Sequence, residues 1–195
     1  GSISVNGSSS NGTGTGLTNS TLETLNNGTI TIAGTSANGS GTSLGSATLN
    51  ATGAGSVTVN GTSSTGNGTL VQADAQINIT GNAAISGQTN STNASDAGVY
   101  FVSPTTVGGL SAANGTVNVT GDGTAGGAMG VYLGGGATTS NNLTLTATNA
   151  TINVNGTSST AAGTTITGPG SNINPALDGI INIIGTSTSN TGVNL

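Results

Sequence analysis

Few side chains in this sequence can do chemistry. Its acids are Glu23, Asp74, Asp96, Asp122 and Asp178, and among its 195 residues there is no Lys, Arg, His, Cys or Trp. Cleavage of a glycosidic bond needs two carboxyl groups roughly 5 to 9.5 Å apart. The five acids fall at different corners of different repeat units, so no neighbouring pair is expected, and a lyase would find no basic residue. A Ser or Thr nucleophile has no His or Lys to take its proton. Gly134, Gly135 and Gly136 resemble part of a phosphate loop but lack its Lys, and read as a turn. Lone carboxylates make a poor metal site. No catalytic residue, metal or cofactor is therefore expected, and the chain reads as a non-enzyme.

Two other residue types invite attention. Tyr100 in Gly98-Val99-Tyr100-Phe101 and Tyr132 in Gly130-Val131-Tyr132-Leu133 hold the same position in consecutive repeat units. Their rings are expected to face outward, one above the other, roughly 5 Å apart. An exposed aromatic platform of that kind stacks sugar rings, although structural packing is the commoner use. The repeat also lengthens in these two units, so residues 88–97 and 134–142 are expected to protrude beside the tyrosines as loops that carry binding. The glycosylation triplet Asn-x-Ser/Thr occurs sixteen times, with Asn6, Asn60, Asn67, Asn114, Asn142 and Asn155 as candidate acceptors. A chain rich in Asn, Ser and Thr also generates this triplet by chance.

These residues are positioned by an internal repeat. The phrase apolar-x-apolar-x-Gly ends at Gly7, Gly34, Gly61, Gly87, Gly121, Gly156 and Gly185, with gaps of 27, 27, 26, 34, 35 and 29. A second phrase, Gly-x-x-apolar, runs from Gly14 to Leu17, Gly41 to Leu44, Gly68 to Val71, Gly98 to Phe101, Gly130 to Leu133, Gly163 to Ile166 and Gly192 to Leu195. A looser apolar segment closes each unit: Leu22 and Leu25, Leu49, Ile77 and Ile79, Val107 and Leu110, Leu143 and Leu145, Ile173 and Leu177. Each unit thus predicts three short strands. Alternation with period two turns one face inward and covers the other with Thr, Asn and Ser.

One unit cannot bury its few inward side chains alone, so the units must stack. The resulting fold class is all-β, a right-handed parallel β-helix of about seven turns with three short strands per turn, starting near residues 3, 29, 56, 83, 116, 151 and 180. At ~4.8 Å per turn the section is a rod roughly 30 to 35 Å long. Ile30, Val57, Ile85, Val117, Val154 and Ile183 are expected as an inward column. Outward Asn118, Asn153 and Asn182 share one register, where stacked amides can bond along the column. Glycines at strand ends are expected to supply positive-φ corners.

Composition sets the remaining limits. Only about one residue in five is Leu, Ile, Val or Phe, near the border of disorder, but the net charge is just −5 and the apolar residues recur regularly. Without cations the chain is not expected to bind nucleic acid or an anionic membrane surface. It has no cysteine for disulfides and no apolar run of the ~20 residues that spans a bilayer, so no direct membrane insertion is expected. Residues 1–195 read as one β-helix segment of a longer rod.

The stretches Gly130-Val131-Tyr132-Leu133-Gly134-Gly135-Gly136 and, from Asn142 to Thr160, NLTLTATNATINVNGTSST, followed by GTTI, resemble the repeat region of filamentous-hemagglutinin-type adhesins, which bacteria export by two-partner secretion. The resemblance covers the whole chain. It implies a secreted structural stalk on the bacterial surface, associated with the outer membrane, that mediates attachment to cells, surfaces or biofilm matrix. Its implied partners are host or bacterial surface carbohydrate or protein, with self-association through open ends. Similarity to high-molecular-weight adhesins implies sugars on some asparagines. Two other readings stand beside it: an ice-binding β-solenoid, from Thr29, Thr31 and Thr58 on one outward face that later carries Ala84, Asn118 and Asn153, and a polysaccharide-degrading β-helix enzyme.

Overall fold

The computed structural model describes residues 1–72, 74–102, 108–134, 143–168 and 172–195, and within them the chain is all-β, without a helix. Three parallel sheets run along one axis. The first contains seven strands of eight residues: Ser2–Ser9, Thr29–Ser36, Ser56–Ser63, Asn82–Thr89, Thr116–Gly123, Thr151–Ser158 and Ile180–Ser187. The second contains Thr15–Thr18, Thr42–Gly45, Thr69–Val71, Ala97–Val102, Met129–Gly134, Thr164–Thr167 and Val193–Asn194. The third contains Thr21–Thr24, Thr48–Ala51, Gln76–Ile79, Gly108–Ala113, Leu143–Thr148 and Asn172–Ala176. The chain visits the sheets in that order and then begins the next storey, which makes a β-solenoid of six full turns and two strands of a seventh.

The repeat phrases coincide with the registers. Gly7, Gly34, Gly61, Gly87, Gly121, Gly156 and Gly185 pair in sequence along the first sheet. Leu17, Leu44, Val71, Phe101, Leu133 and Ile166 do so in the second. Leu22, Leu49, Ile77, Leu110, Leu145 and Ile173 form the matching column in the third. Apart from Ile173, which is 37% exposed in the sixth turn, the apolar columns of the second and third sheets join two more from the first in one continuous core. Thr, Asn and Ser on the outward positions keep that face wet, while β-branched side chains suit the extended backbone.

The inward column is really two. Ile30, Val57 and Val117 stand in one with Ala83, Ile152 and Ile181, whereas Ile85, Val154 and Ile183 belong two residues along, with Ile32, Val59 and Val119. Both positions point inward with period two, so spacing from the glycine, not apolarity, tells them apart. Leu25 and Leu177, expected inside, are 59% and 79% exposed, because each lies beyond the end of its strand in a corner. Val107 lies outside the described residues.

The repeat glycines serve a different purpose from the one expected. None of the seven has positive φ; that conformation is supplied at the corners by Asn19, Asn26, Asn27, Ser46, Asp74, Asn114, Asn149 and Leu177, and by Gly53, Gly127 and Gly168. Asparagine tolerates the left-handed region through local hydrogen bonding of its short side chain. The repeat glycines are needed instead for close approach: a Cβ on Gly34 or Gly61 would sit 2.0 Å from the carbonyl oxygen of Gly41 or Gly68 in the second phrase. First and second sheets meet there backbone to backbone.

Candidate functional site

The two tyrosines sit on neighbouring strands of the second sheet, in direct register, as Val99 pairs Val131 and Phe101 pairs Leu133 on either side. Val99, Val131 and Leu133 are fully buried and Phe101 nearly so, and alternation turns Tyr100 and Tyr132 outward, half-buried. Leu70 precedes Tyr100 in this outward column and Thr165 follows Tyr132. The ring centroids are 4.6 Å apart, at the spacing expected, but the planes are inclined by 72°. An edge-to-face pair is favoured by the ring quadrupoles over a face-to-face stack. The rings therefore offer two steeply inclined surfaces and not one flat platform.

The hydroxyl groups of the pair differ. Tyr132 Oη lies 2.6 Å from Thr167 Oγ1 of the next turn. Burial, then Tyr132, then Asp96 raise the Tyr100 pKa above its ordinary value of 10.0, so its hydroxyl stays protonated to higher pH.

The segment expected to protrude beside Tyr100 is mostly part of the coil. Gln88 and Thr89 extend the first-sheet strand, pairing with Thr62 and Ser63. Thr89 and Ser91 are buried, whereas Gln88, Asn90 and residues 92–95 are exposed. Ser91 Oγ donates to the Asp96 carboxylate, the Asn93 N–H donates to Ser91 Oγ at 3.1 Å, and the Ala97 N–H donates to Asn67 Oδ1 at 2.8 Å. Of the other expected loop, Gly134 closes a second-sheet strand and residues 135–142 lie outside the described residues.

The acids are dispersed. Glu23 is on the third sheet in the first turn and Asp122 on the first sheet in the fifth, while Asp74, Asp96 and Asp178 occupy corners of the third, fourth and sixth. Among the described residues no group of three acidic side chains converges. Asp122 accepts from the N–H and hydroxyl of Thr124.

The candidate acceptor asparagines divide by position. Asn6, Asn60 and Asn155 are exposed in one outward column of the first sheet. Asn114 is exposed in a corner at φ 60°. Asn67 is partly buried and tied by its carbonyl to Ala97, while Asn142 lies outside the described residues. The outward column Ser4, Thr31, Thr58, Ala84, Asn118, Asn153 and Asn182 holds two of the threonines of the ice-binding reading, Thr31 and Thr58, while Thr29 stands in another column with Ser2 and Ser56.

Hydroxyls that are buried or half-buried complete the frame. Thr42, Thr69 and Thr164, each following a second-phrase glycine, donate at 2.6 Å to Asn60, Ser86 and Ile184 carbonyls one turn on. Ser36, Ser63, Ser158 and Ser187 donate to corner carbonyls of the preceding turn. The signal was present as Ser or Thr two residues after the repeat glycine. No family model, curated protein or solved structure matches the chain.

Proposed function

We propose that this β-solenoid is a structural stalk and binding segment of an extracellular bacterial adhesin of the filamentous-hemagglutinin type, which attaches cells to other cells, surfaces or biofilm matrix. The observation that carries this reading is the storey-by-storey solenoid itself, with a dry apolar core and an outer surface of Thr, Asn and Ser. Such a rod holds binding groups away from a cell surface and needs no charge to stay folded. With no Lys or Arg, it also offers trypsin no cleavage site.

Surface carbohydrate is the partner we favour, with Tyr100 and Tyr132 as contacts and residues 92–95 beside them. Self-association of copies of the chain is the second partner in this proposal. Exposed Asn6, Asn60, Asn114 and Asn155 are the positions open to attached sugars, and an intact mass equal to the bare chain would exclude them.

Beads coated with the chain should adhere to cells or to polysaccharide-coated surfaces. Y100A/Y132A should lower that adhesion at least tenfold with an unchanged β circular-dichroism spectrum. Unchanged adhesion would remove the tyrosines from the site. Wild-type beads that bind no such surface would overturn the adhesive reading.

A further inference from the structure

The asparagine ladder of the first sheet stops at a notch. Asn182 Nδ2 donates to Asn153 Oδ1 at 2.8 Å, and Asn153 Nδ2 donates to Asn118 Oδ1 at 2.9 Å. Each amide passes its N–H to the turn before, so Asn118 Nδ2 needs an acceptor at the next position down. That position is Ala84, whose side chain has none, and below it stands Thr58. Neither Asn118 Nδ2 nor Thr58 Oγ1 has a hydrogen-bond partner among the described residues. The missing rung is an open notch of about 240 Å³ floored by Ala84 and rimmed by Ser56, Thr58, Asn82, Thr116 and Asn118.

What fits there is defined by what is missing. An amide at the Ala84 position would accept from Asn118 Nδ2 and donate to Thr58 Oγ1, each one strand spacing of about 4.8 Å away. We propose that the notch binds the acetamido group of an N-acetylhexosamine. The ligand carbonyl takes the Asn118 donor, its N–H reaches the Thr58 hydroxyl, and its methyl group rests on Ala84. Ser56 and the free amide nitrogen of Asn82, whose Oδ1 already accepts from the Thr116 N–H at 3.0 Å, meet the sugar hydroxyls. With no cation near and a chain of net charge −5, a neutral sugar suits the site better than an acidic one. This deepens the carbohydrate reading above but uses a different sheet from the tyrosines.

The test is A84N in the full chain. Asparagine at 84 completes the ladder and fills the notch, so the variant should melt no lower than wild type while losing at least tenfold in affinity for N,N′-diacetylchitobiose. Titration followed by side-chain amide NMR should shift Asn118 Nδ2 in wild type, with at least tenfold weaker binding of cellobiose. T58V should lose affinity independently. Equal affinity for the acetylated and plain disaccharides, undiminished binding by A84N, or no binding at all would each overturn the proposal. Tighter binding of an N-acetyl-lysine peptide than of the disaccharide would overturn the sugar assignment. If adhesion depends on Tyr100 and Tyr132 while A84N changes no sugar affinity, the notch alone fails; if wild type binds diacetylchitobiose but adheres to nothing, the adhesive reading alone fails.

Discussion

The Cβ of an alanine at position 61 would lie 2.0 Å from the Gly68 carbonyl oxygen, and the other repeat glycines of the first sheet meet the same obstruction, from 1.8 Å at Gly185 to 2.2 Å at Gly7. Backbone cannot yield as a flexible side chain does, so G61A should cost about 3 kcal/mol or more. G16A is the control: its Cβ would meet nothing closer than Thr13 Cγ2 at 3.9 Å, and it should change stability by no more than about 1 kcal/mol in denaturant unfolding. Equal costs would remove the steric account. The spacing of these glycines was legible in the sequence, but their reason was not. A glycine kept for positive φ and one kept for close approach leave the same letter, and the contact here joins residues that only the corner brings together. At Tyr100 the titration follows the environment. The folded state keeps the phenol proton more tightly than the unfolded chain, so stability is unaffected below pH 10 and falls as pH rises above it. In Y132F the Tyr100 titration, read at 295 nm, should move down toward the ordinary value yet stay above it, because burial is the larger cause.

Within a turn, the corner between first and second sheets is held by hydroxyls in a double role. Ser63 Oγ donates to the Gly39 carbonyl of the turn before and accepts from the Gly66 N–H at 2.9 Å. Removing it leaves half-buried partners unpaired at both ends, so S63A should cost about 1 to 3 kcal/mol. Thr42 makes one such bond, and the second sheet already carries Val99 and Val131 in the column of Thr42, Thr69 and Thr164. T42V should therefore cost less than S63A in thermal melts, and the reverse order would show that the corner bonds contribute little. Sequence periodicity located the first-sheet strands well, because eight residues alternate cleanly around a fixed glycine. It served the third sheet less well: strands such as Thr21–Thr24 are four residues long, too short to show where alternation ends and the corner begins, and Leu25 fell on the wrong side.

Along the whole rod, cohesion comes from burial and hydrogen bonds, since a chain without Lys, Arg or His has no side-chain ion pairs to lose. Each storey touches chiefly the one above and the one below, so the molecule should behave as a stack of nearly equivalent units. The 27-residue gaps that revealed the repeat then define a unit that can be taken out. Excising residues 29–55 joins Gly28 to Ser56, and Ser56 takes the place that Thr29 holds over Ser2. Every other column closes in the same way, with Val71 over Leu17 and Ile77 over Leu22. The shortened chain should keep its β circular-dichroism signal and a cooperative melt, a few degrees lower than the parent. Removing residues 29–60 instead takes Val57 and Val59 as well, so the storey over Ile3 and Val5 keeps no inward apolar side chain in the first sheet, and that chain should lose both signals. If the two deletions behave alike, stacked registers do not determine the fold; if only the integral one folds, the repeat read from the sequence is also the unit of stability.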